Sequence, residues 1–362
     1  MEEKAHLAHP GQICFKLTAL ILFAACLAPA LAAHAQGVQV TRHEAQRRVD
    51  VTIDGKLFTS YIWPTTIMKP VLYPIIDADG FTLTRGFPLD PRPGERTDHP
   101  HHTGLWFNYA NTNGFDFWNN SQAIPAARAG KMGPIVFDKI LASSSGPNRG
   151  SLLTLSTWID GNHHPILEET TDFVFSRRPG QRIPGTRVIE RTATLHALDR
   201  VVFNDEKDGM LGLRVASWLE SPTATDRTFT DSSGAATKVA AASPDATGVY
   251  LTSEGKQGDA AWGTRGTWCA LTGHTGGHTV TIAIFDNPLN PGYPTTWPAR
   301  GYGLFAVNPL GPHAFNPKEP PINFTLEKGQ SATFRYRIVF YTHAATTEEL
   351  NKEAAAFAAQ DQ

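Results

Sequence analysis

Apolar and polar residues alternate with a period of two along most of this chain, the spacing of strands with one buried face. Val49, Val51 and Ile53 alternate, Asp54-Gly55 supplies a tight turn, and Leu57 to Trp63 returns as a hairpin partner. Tyr73 to Ile76 and Phe81 to Leu83 flank Asp79-Gly80 in the same way. Ser151 to Ile159 and Ile166 to Phe175 flank an Asp160-Gly161-Asn162 turn. In Arg187 to Leu198, Val188, Ile189, Ala193 and Leu195 interleave with Glu190, Arg191, Thr192 and Thr194. Further strands are expected at Leu211 to Leu219, Val249 to Thr252, Thr267 to Leu271, Thr279 to Phe285 and Gly303 to Val307. Asn323 to Leu326 and Ser331 to Tyr341 are expected to form a hairpin around Glu327-Lys328-Gly329.

One helix is predicted, near the C-terminal end. Thr346-Thr347-Glu348-Glu349 has capping-box spacing, and the Ala-rich run to Gln360 favours helix. Ala123 to Lys131 reads as a short helix or an irregular loop. Strands do not alternate with long helices, which argues against a parallel α/β sheet, and no repeat of solenoid or propeller length is visible. The expectation is an all-β protein, one large antiparallel β-sandwich with a short C-terminal helix. Ser143-Ser144-Ser145-Gly146-Pro147 is the best candidate linker, but the strands on either side look alike, so a single domain over 36–362 is preferred.

The first 35 residues read as a leader. Lys16 precedes an apolar run from Leu17 to Leu31, and Ala33-His34-Ala35 follows, as in a secretory signal peptide cleaved after Ala35. The run is too short for a membrane span, which needs roughly 20 residues. A lipoprotein signal with Cys26 as the lipidated residue fits less well, because the apolar stretch continues past it. A periplasmic or secreted protein is expected. Cleavage removes Cys14 and Cys26 and leaves Cys269, which reads as a small buried hydrophobe in a strand beside Trp268. The net charge of −2 comes with no basic stripe and no block of like charge. That argues against nucleic acid and anionic membrane surfaces as partners.

The stretch with most chemistry is Asp98-His99-Pro100-His101-His102, followed by Gly104-Leu105-Trp106-Phe107-Asn108-Tyr109. Histidine titrates near neutrality, and its neutral form is the commonest metal ligand. Pro100 removes a backbone donor, so a loop or strand end is expected, where sites usually sit. If the segment is extended, His99 and His101 share a side. Three readings stay open: acid–base or ligand contact, a divalent metal on His99 and His101, or a hydrogen-bonded loop organised by Asp98. Glu168 and Glu169 are neighbours in a strand, so at most one faces a cleft. His163-His164 reads as an exposed turn. Arg300 and Tyr302, followed by Asn308, make a second polar cluster, in which Arg300 would grip a ligand or pair with Asp286. Of the many tryptophans, no more than two are expected to touch a ligand. No phosphate loop, nucleophile elbow or cysteine nucleophile is present.

Several motifs together resemble one bacterial family. They are Thr84-Arg85-Gly86-Phe87-Pro88, the Asp98 to Phe107 block, Asn113-Gly114-Phe115-Asp116-Phe117-Trp118, Leu213-Arg214-Val215, Asp286-Asn287-Pro288-Leu289-Asn290-Pro291, and Arg300-Gly301-Tyr302-Gly303-Leu304. The family is the PmoA-like one, labelled methane oxygenase PmoA and otherwise of unknown function, and the resemblance runs from about Val49 to Tyr341. Thr103 departs from it, where the pattern has Arg. The oxygenase label fits poorly, since no apolar segment of spanning length follows the leader. By architecture the resemblance implies a galactose-mutarotase-like supersandwich concerned with carbohydrate.

The expectation is therefore an exported carbohydrate-active epimerase, lyase or hydrolase taking a sugar, an oxidised glycoside or another small molecule. His101 and His102 would be acid and base, with Glu169 or Asp98 as partner. His99, Trp106, Arg300, Tyr302, Asn308 and Arg85 would bind substrate. No cofactor is fixed by these residues, and a divalent metal stays open, on His99 and His101, if the histidines ligate. The alternatives are a non-catalytic carbohydrate-binding protein and the metal-dependent oxygenase of the family label.

Overall fold

The computed structural model describes residues 1–2, 37–178, 185–230 and 235–360. Residues 3–36, with Cys14, Cys26 and the expected cleavage after Ala35, lie outside the described residues. The alternating segments assemble into two eight-stranded sheets. The first runs through Val38–His43, Arg48–Ile53, Lys56–Ile62, Val71–Ile75, Leu105–Tyr109, Gly209–Arg214, Leu304–Val307 and Ala299–Arg300. The second runs through Val249–Thr252, Trp268–Thr275, His278–Asp286, Ser331–Tyr341, Arg187–Ala197, Pro165–Arg177, Arg149–Ile159 and Ile135–Ser144. Neighbours in both sheets pair antiparallel. The all-β antiparallel sandwich expected from the alternation is what forms.

The two sheets bury their facing sides against each other. Phe58 meets Phe340 edge-on at 5.7 Å, and Phe107 meets Phe334 at 5.8 Å. Along Arg149–Ile159 every second residue is buried, the direct result of the period-two pattern. The helix Thr347–Ala358 covers the outer face of the second sheet with Leu350 and Phe357. Its capping box forms as expected: Glu349 N–H donates to Thr346 Oγ1 at 3.2 Å, and Thr346 N–H to Glu349 Oε2 at 2.8 Å. Among the described residues no helix is long and apolar enough to cross a membrane.

Three local expectations are corrected. Phe324–Leu326 does not pair with Ser331–Tyr341; it pairs with Val201–Phe203, while Ser331 opposite His196 begins a long ladder in the second sheet. The turn at Glu327-Lys328-Gly329 is real, but the sheets, not the turn, choose the partners. The expected strand Leu211 to Leu219 ends at Arg214 and passes into a short 3-10 turn, Ser217–Leu219. The candidate linker Ser143 to Pro147 is a hairpin turn between Ile135–Ser144 and Arg149–Ile159, two strands of one sheet.

The outer face of the first sheet carries a separate apolar cluster that includes Trp106, Trp118, Tyr302 and Leu304. The hairpin Arg227–Thr230 and Ala236–Val239 stands over it, with Phe229 packed against the cluster. Trp106 and Phe107 are neighbours in one strand. The pleat sends Phe107 into the sandwich and Trp106 to the outer face, where the polar motifs gather.

Candidate functional site

The chain leaves Val71–Ile75, crosses the outer face as a long loop, and re-enters the sheet at Leu105–Tyr109. Gly104 makes the re-entry. Its φ is +58°, and a Cβ there would stand 2.3 Å from the Leu72 carbonyl oxygen, so glycine alone fits. The Asp98 to His102 block lies in this loop, as Pro100 implied. It is not extended, however. His99 has φ +44°, and His102 N–H donates to the His99 carbonyl at 3.0 Å, closing a turn. The turn pairs His99 with His102, and the expectation that His99 and His101 share a side fails for that reason.

The pairing is a stack. The His99 and His102 rings are 1° from parallel with centroids 4.7 Å apart. Tyr302 continues the column beyond His99 at 5.1 Å, and Trp106 beyond His102 at 5.3 Å. Trp106 in turn lies over Gly212, its register partner on the next strand, where an added Cβ would meet the indole at 2.3 Å. His101 stands edge-on to both other imidazoles.

Two arginines fix the loop. Arg85, 1 % exposed, donates to four carbonyls, those of Arg96 (3.3 Å), Asp98 (2.7 Å), His99 (2.9 Å) and His102 (3.1 Å). Arg214 grips the Asp98 carboxylate with both terminal nitrogens, at 2.9 and 3.1 Å. Asp98 Oδ1 also meets His99 Nδ1 at 2.5 Å. The guanidinium of Arg214 faces the Tyr302 ring at 4.9 Å. Behind them Glu220 stands 3.3 Å from Arg96 and 3.9 Å from Arg214.

These contacts set the protonation states. Burial works against ionisation of Asp98, but the Arg214 charge and the hydrogen bonds from His99 and Arg214 outweigh it and hold the carboxyl well below its usual range. Burial lowers His99 below 6.5 despite its bond to Asp98. Burial and the neighbouring positive field put His101 and His102 well below that value. Nδ1 of His99 carries the proton shared with Asp98, which leaves Nε2 as a basic lone pair. Arg214 can only donate, so His102 Nδ1 accepts from it at 3.4 Å and the His102 proton sits on Nε2. His101 Nε2 is buried and has no hydrogen-bond partner. Burial raises the Tyr302 hydroxyl pKa and takes Glu220 up to about 7.

A cavity of about 370 Å³ opens over the block. Asp98, His99, His101 and His102 form one side. Trp118, Phe229, Trp262 and Tyr302 supply aromatic walls, and Arg128, Lys207, Asp208 and Arg300 supply charge. Arg300 lies with its guanidinium carbon 3.1 Å from the Trp262 ring centroid and 5.2 Å from that of Phe229. Its expected alternative, pairing with Asp286, does not form. Asp286 instead accepts from Asn287, Asn290 and Thr295 and braces its own loop.

Of the residues singled out in the sequence, Asp98, His99, His101, His102, Arg300 and Tyr302 meet at this cavity. Four others do not line it. Glu169 is buried between the sheets, accepting from Trp158 Nε1 (2.8 Å), Thr171 Oγ1 (2.6 Å) and Arg191 (2.5 Å). Asn308 donates to the Glu206 carbonyl at 2.7 Å and accepts from Leu310 N–H at 3.0 Å, so its amide is spent on the backbone. Trp106 is fully buried under His102, and Arg85 is consumed by carbonyls. Glu168 is on the opposite strand face from Glu169, and His163 and His164 form an exposed turn. Thr103 is buried, its hydroxyl 3.4 Å from the Pro100 carbonyl. Cys269 is fully buried and its thiol is pushed up by that burial.

Sequence reasoning gave no role to Arg214, which it met only as part of a motif, and missed Glu220, Arg96 and Lys69. Lys69 Nζ donates to the His101 carbonyl at 2.7 Å, and burial lowers its pKa to about 7. Arg214 had a signal: with Gly212 it is a non-apolar residue alternating with Leu211, Leu213 and Val215. For metal, the donor set is poor. Among the described residues no group of three His, Cys, Asp or Glu side chains is disposed to hold an ion, and His99 and His101 cross at 79° with centroids 5.6 Å apart.

The chain is similar to the solved structure of galactose 1-epimerase from Lactobacillus acidophilus NCFM, at 10% identity and a TM-score of 0.36, covering 85% of this chain and 100% of that one. It is also similar to a galactose mutarotase related enzyme from Lactobacillus acidophilus, at 9% identity and a TM-score of 0.31, covering 85% and 99%. Likeness this remote says nothing of the chemistry. No curated protein sequence matches the chain. Residues 48–355 match the family of unknown function DUF6807, nearly the whole span of the two sheets, and the chain belongs to that family.

Proposed function

We propose that the protein binds a carbohydrate in the cavity on the outer face of the first sheet and transfers a proton on it, with His99 as base and acid. The observation that carries this reading is the Asp98–His99 pair. Asp98 is clamped by Arg214 and holds Nδ1 of His99 at 2.5 Å, so that Nε2 is the basic nitrogen of a histidine that lines the cavity. A carboxylate placed this way fixes the tautomer and stabilises the imidazolium that forms on proton uptake. Burial keeps His99 neutral in the resting state, as a base working near neutral pH requires.

Carbohydrate as the ligand class is supported by the lining. Aromatic faces suit the C–H face of a sugar ring, and imidazole, carboxylate and guanidinium groups suit its hydroxyls. His101 Nε2, buried and unpartnered, is the next group with a hydrogen bond to give or take there. The oxygenase name of the family that the motifs resemble draws no support from the donor set described above.

The test is proton exchange. Neutral aldoses, keto sugars and hexuronates are incubated with the protein in D₂O and followed by proton NMR. The expected result is loss of one C–H signal from at least one sugar, slowed at least about a hundredfold by His99→Gln. Exchange by His99→Gln at the parent rate overturns the reading. Binding without exchange by the parent protein overturns the proton transfer and leaves a carbohydrate-binding protein.

A further inference from the structure

Arg300 has donors to spare. Its guanidinium makes no hydrogen bond or ion pair with any described residue; it is held by the faces of Trp262 and Phe229 instead. Stacking on rings fixes the guanidinium plane and leaves the N–H edge unspent, the state in which arginine best takes a planar anion through two parallel bonds. The group lines the cavity and is half-buried, so its charge is incompletely solvated.

Position adds a second argument. Arg300 is two residues before Tyr302, whose ring stacks on His99, and Phe229 touches both, at 4.7 Å from Tyr302 and 5.2 Å from the Arg300 guanidinium. Arg300 and His99 therefore line one cavity and are linked through the rings of Phe229 and Tyr302. The charge balance points the same way. Among the described lining residues Asp98 is neutralised from behind by Arg214, so its carboxylate does not offset the charge of Arg300. Asp259, whose field also reaches Arg300, is bound to Arg227 at 2.9 Å.

We infer that the ligand is an acidic sugar, a hexuronate, whose carboxylate is taken by the fork of Arg300. This rests on the carbohydrate reading above and narrows it. It also gives the proton a source. The C–H beside a carboxylate is the acidic one in a hexuronate. When that bond breaks, the proton goes to His99 Nε2 and the electron pair is delocalised into the carboxylate as an enediolate, whose charge Arg300 offsets. Return of the proton, or of a deuteron from solvent, to the same carbon closes the step.

Binding is measured by titration calorimetry with galacturonate and glucuronate against galactose and glucose at fixed ionic strength. The parent protein is expected to prefer at least one hexuronate to its neutral counterpart by about tenfold or more. Arg300→Gln should bring the two within about twofold, and Arg300→Lys should retain part of the preference, because the charge remains without the fork. The methyl ester of the hexuronate tests the same point with no change to the protein, and should bind the parent as weakly as the neutral sugar does. Equal or better binding of neutral sugars, no binding of either hexuronate, or an unchanged preference in Arg300→Gln overturns the proposal. Its failure is separable from that of the proton-transfer reading. Hexuronate preference without deuterium exchange keeps Arg300 and removes His99 as a base; exchange confined to neutral keto sugars does the reverse.

Discussion

The imidazoles of His99 and His102 lie parallel, planes 1° apart and centroids 4.7 Å apart, between the rings of Tyr302 and Trp106. A turn, not a strand, creates this relationship. It brings residues three apart face to face and makes the orientation of His99 depend on what lies under His102. Trp106 is that support, fully buried between His102 and the glycine opposite it. Trp106→Ala should therefore cost about 3–5 kcal/mol in denaturant unfolding. Gly212→Ala, which drives a methyl into the same indole, should cost about 1–3 kcal/mol. A loss below about 1 kcal/mol in Trp106→Ala would show that the column is not a support.

Arg85 should act on the loop and not on the ligand. One guanidinium serves all four carbonyls, and arginine spreads its donors where lysine concentrates them. Arg85→Lys should cost about 2–4 kcal/mol, since buried carbonyls lose charged donors. Backbone hydrogen exchange read by mass spectrometry should show the 96–102 segment opening more readily while the second sheet stays protected. Uniform loss of protection would contradict this local role.

Glu220 should make stability fall as pH rises. Burial takes its folded pKa from 4.5 to about 7, so the folded protein holds the proton more tightly than the unfolded chain. That stabilisation is complete below about 4.5 and is lost as pH rises through 7, for a total of about 3 kcal/mol at most. Asp286 moves in the same direction for the same reason, so the difference between parent and Glu220→Gln, not the parent curve alone, isolates Glu220. Unfolding free energy measured from pH 4.5 to 8 should decline less steeply in Glu220→Gln. Parallel curves would remove Glu220 as a titrating group.

The sheets were legible because each strand carries its own evidence: Arg149–Ile159 and Arg187–Ala197 show their buried face in their own alternation. The fate of Phe324–Leu326 was not, because its partner, Val201–Phe203, is distant in the chain and the intervening turn suggested a nearer one. The site divides similarly. His99, His101 and His102 declare themselves by proximity in sequence. Their order of importance does not, since it depends on Arg214, which is 116 residues from Asp98 and selects that carboxylate over Glu169 as the partner of a histidine. Glu169 looked equivalent in sequence, and Arg191 and Trp158 occupy it.

The pH profile of exchange should separate His99 as a base from His99 as a structural residue. A base works when unprotonated, so the rate should rise with pH and level off, with a midpoint below 6.5 because burial lowers His99. Asp98 opposes that lowering through its hydrogen bond and charge. Asp98→Asn removes both, so the midpoint should move further down, not up. The plateau should also fall, by about 10²–10⁴-fold, because an amide no longer selects the tautomer that leaves Nε2 free. Near-UV circular dichroism of Asp98→Asn should remain that of the parent at pH 7, where the comparison is made. A plateau unchanged within about twofold, or a midpoint shifted upward, would mean that Asp98 braces Arg214 and the loop without tuning His99.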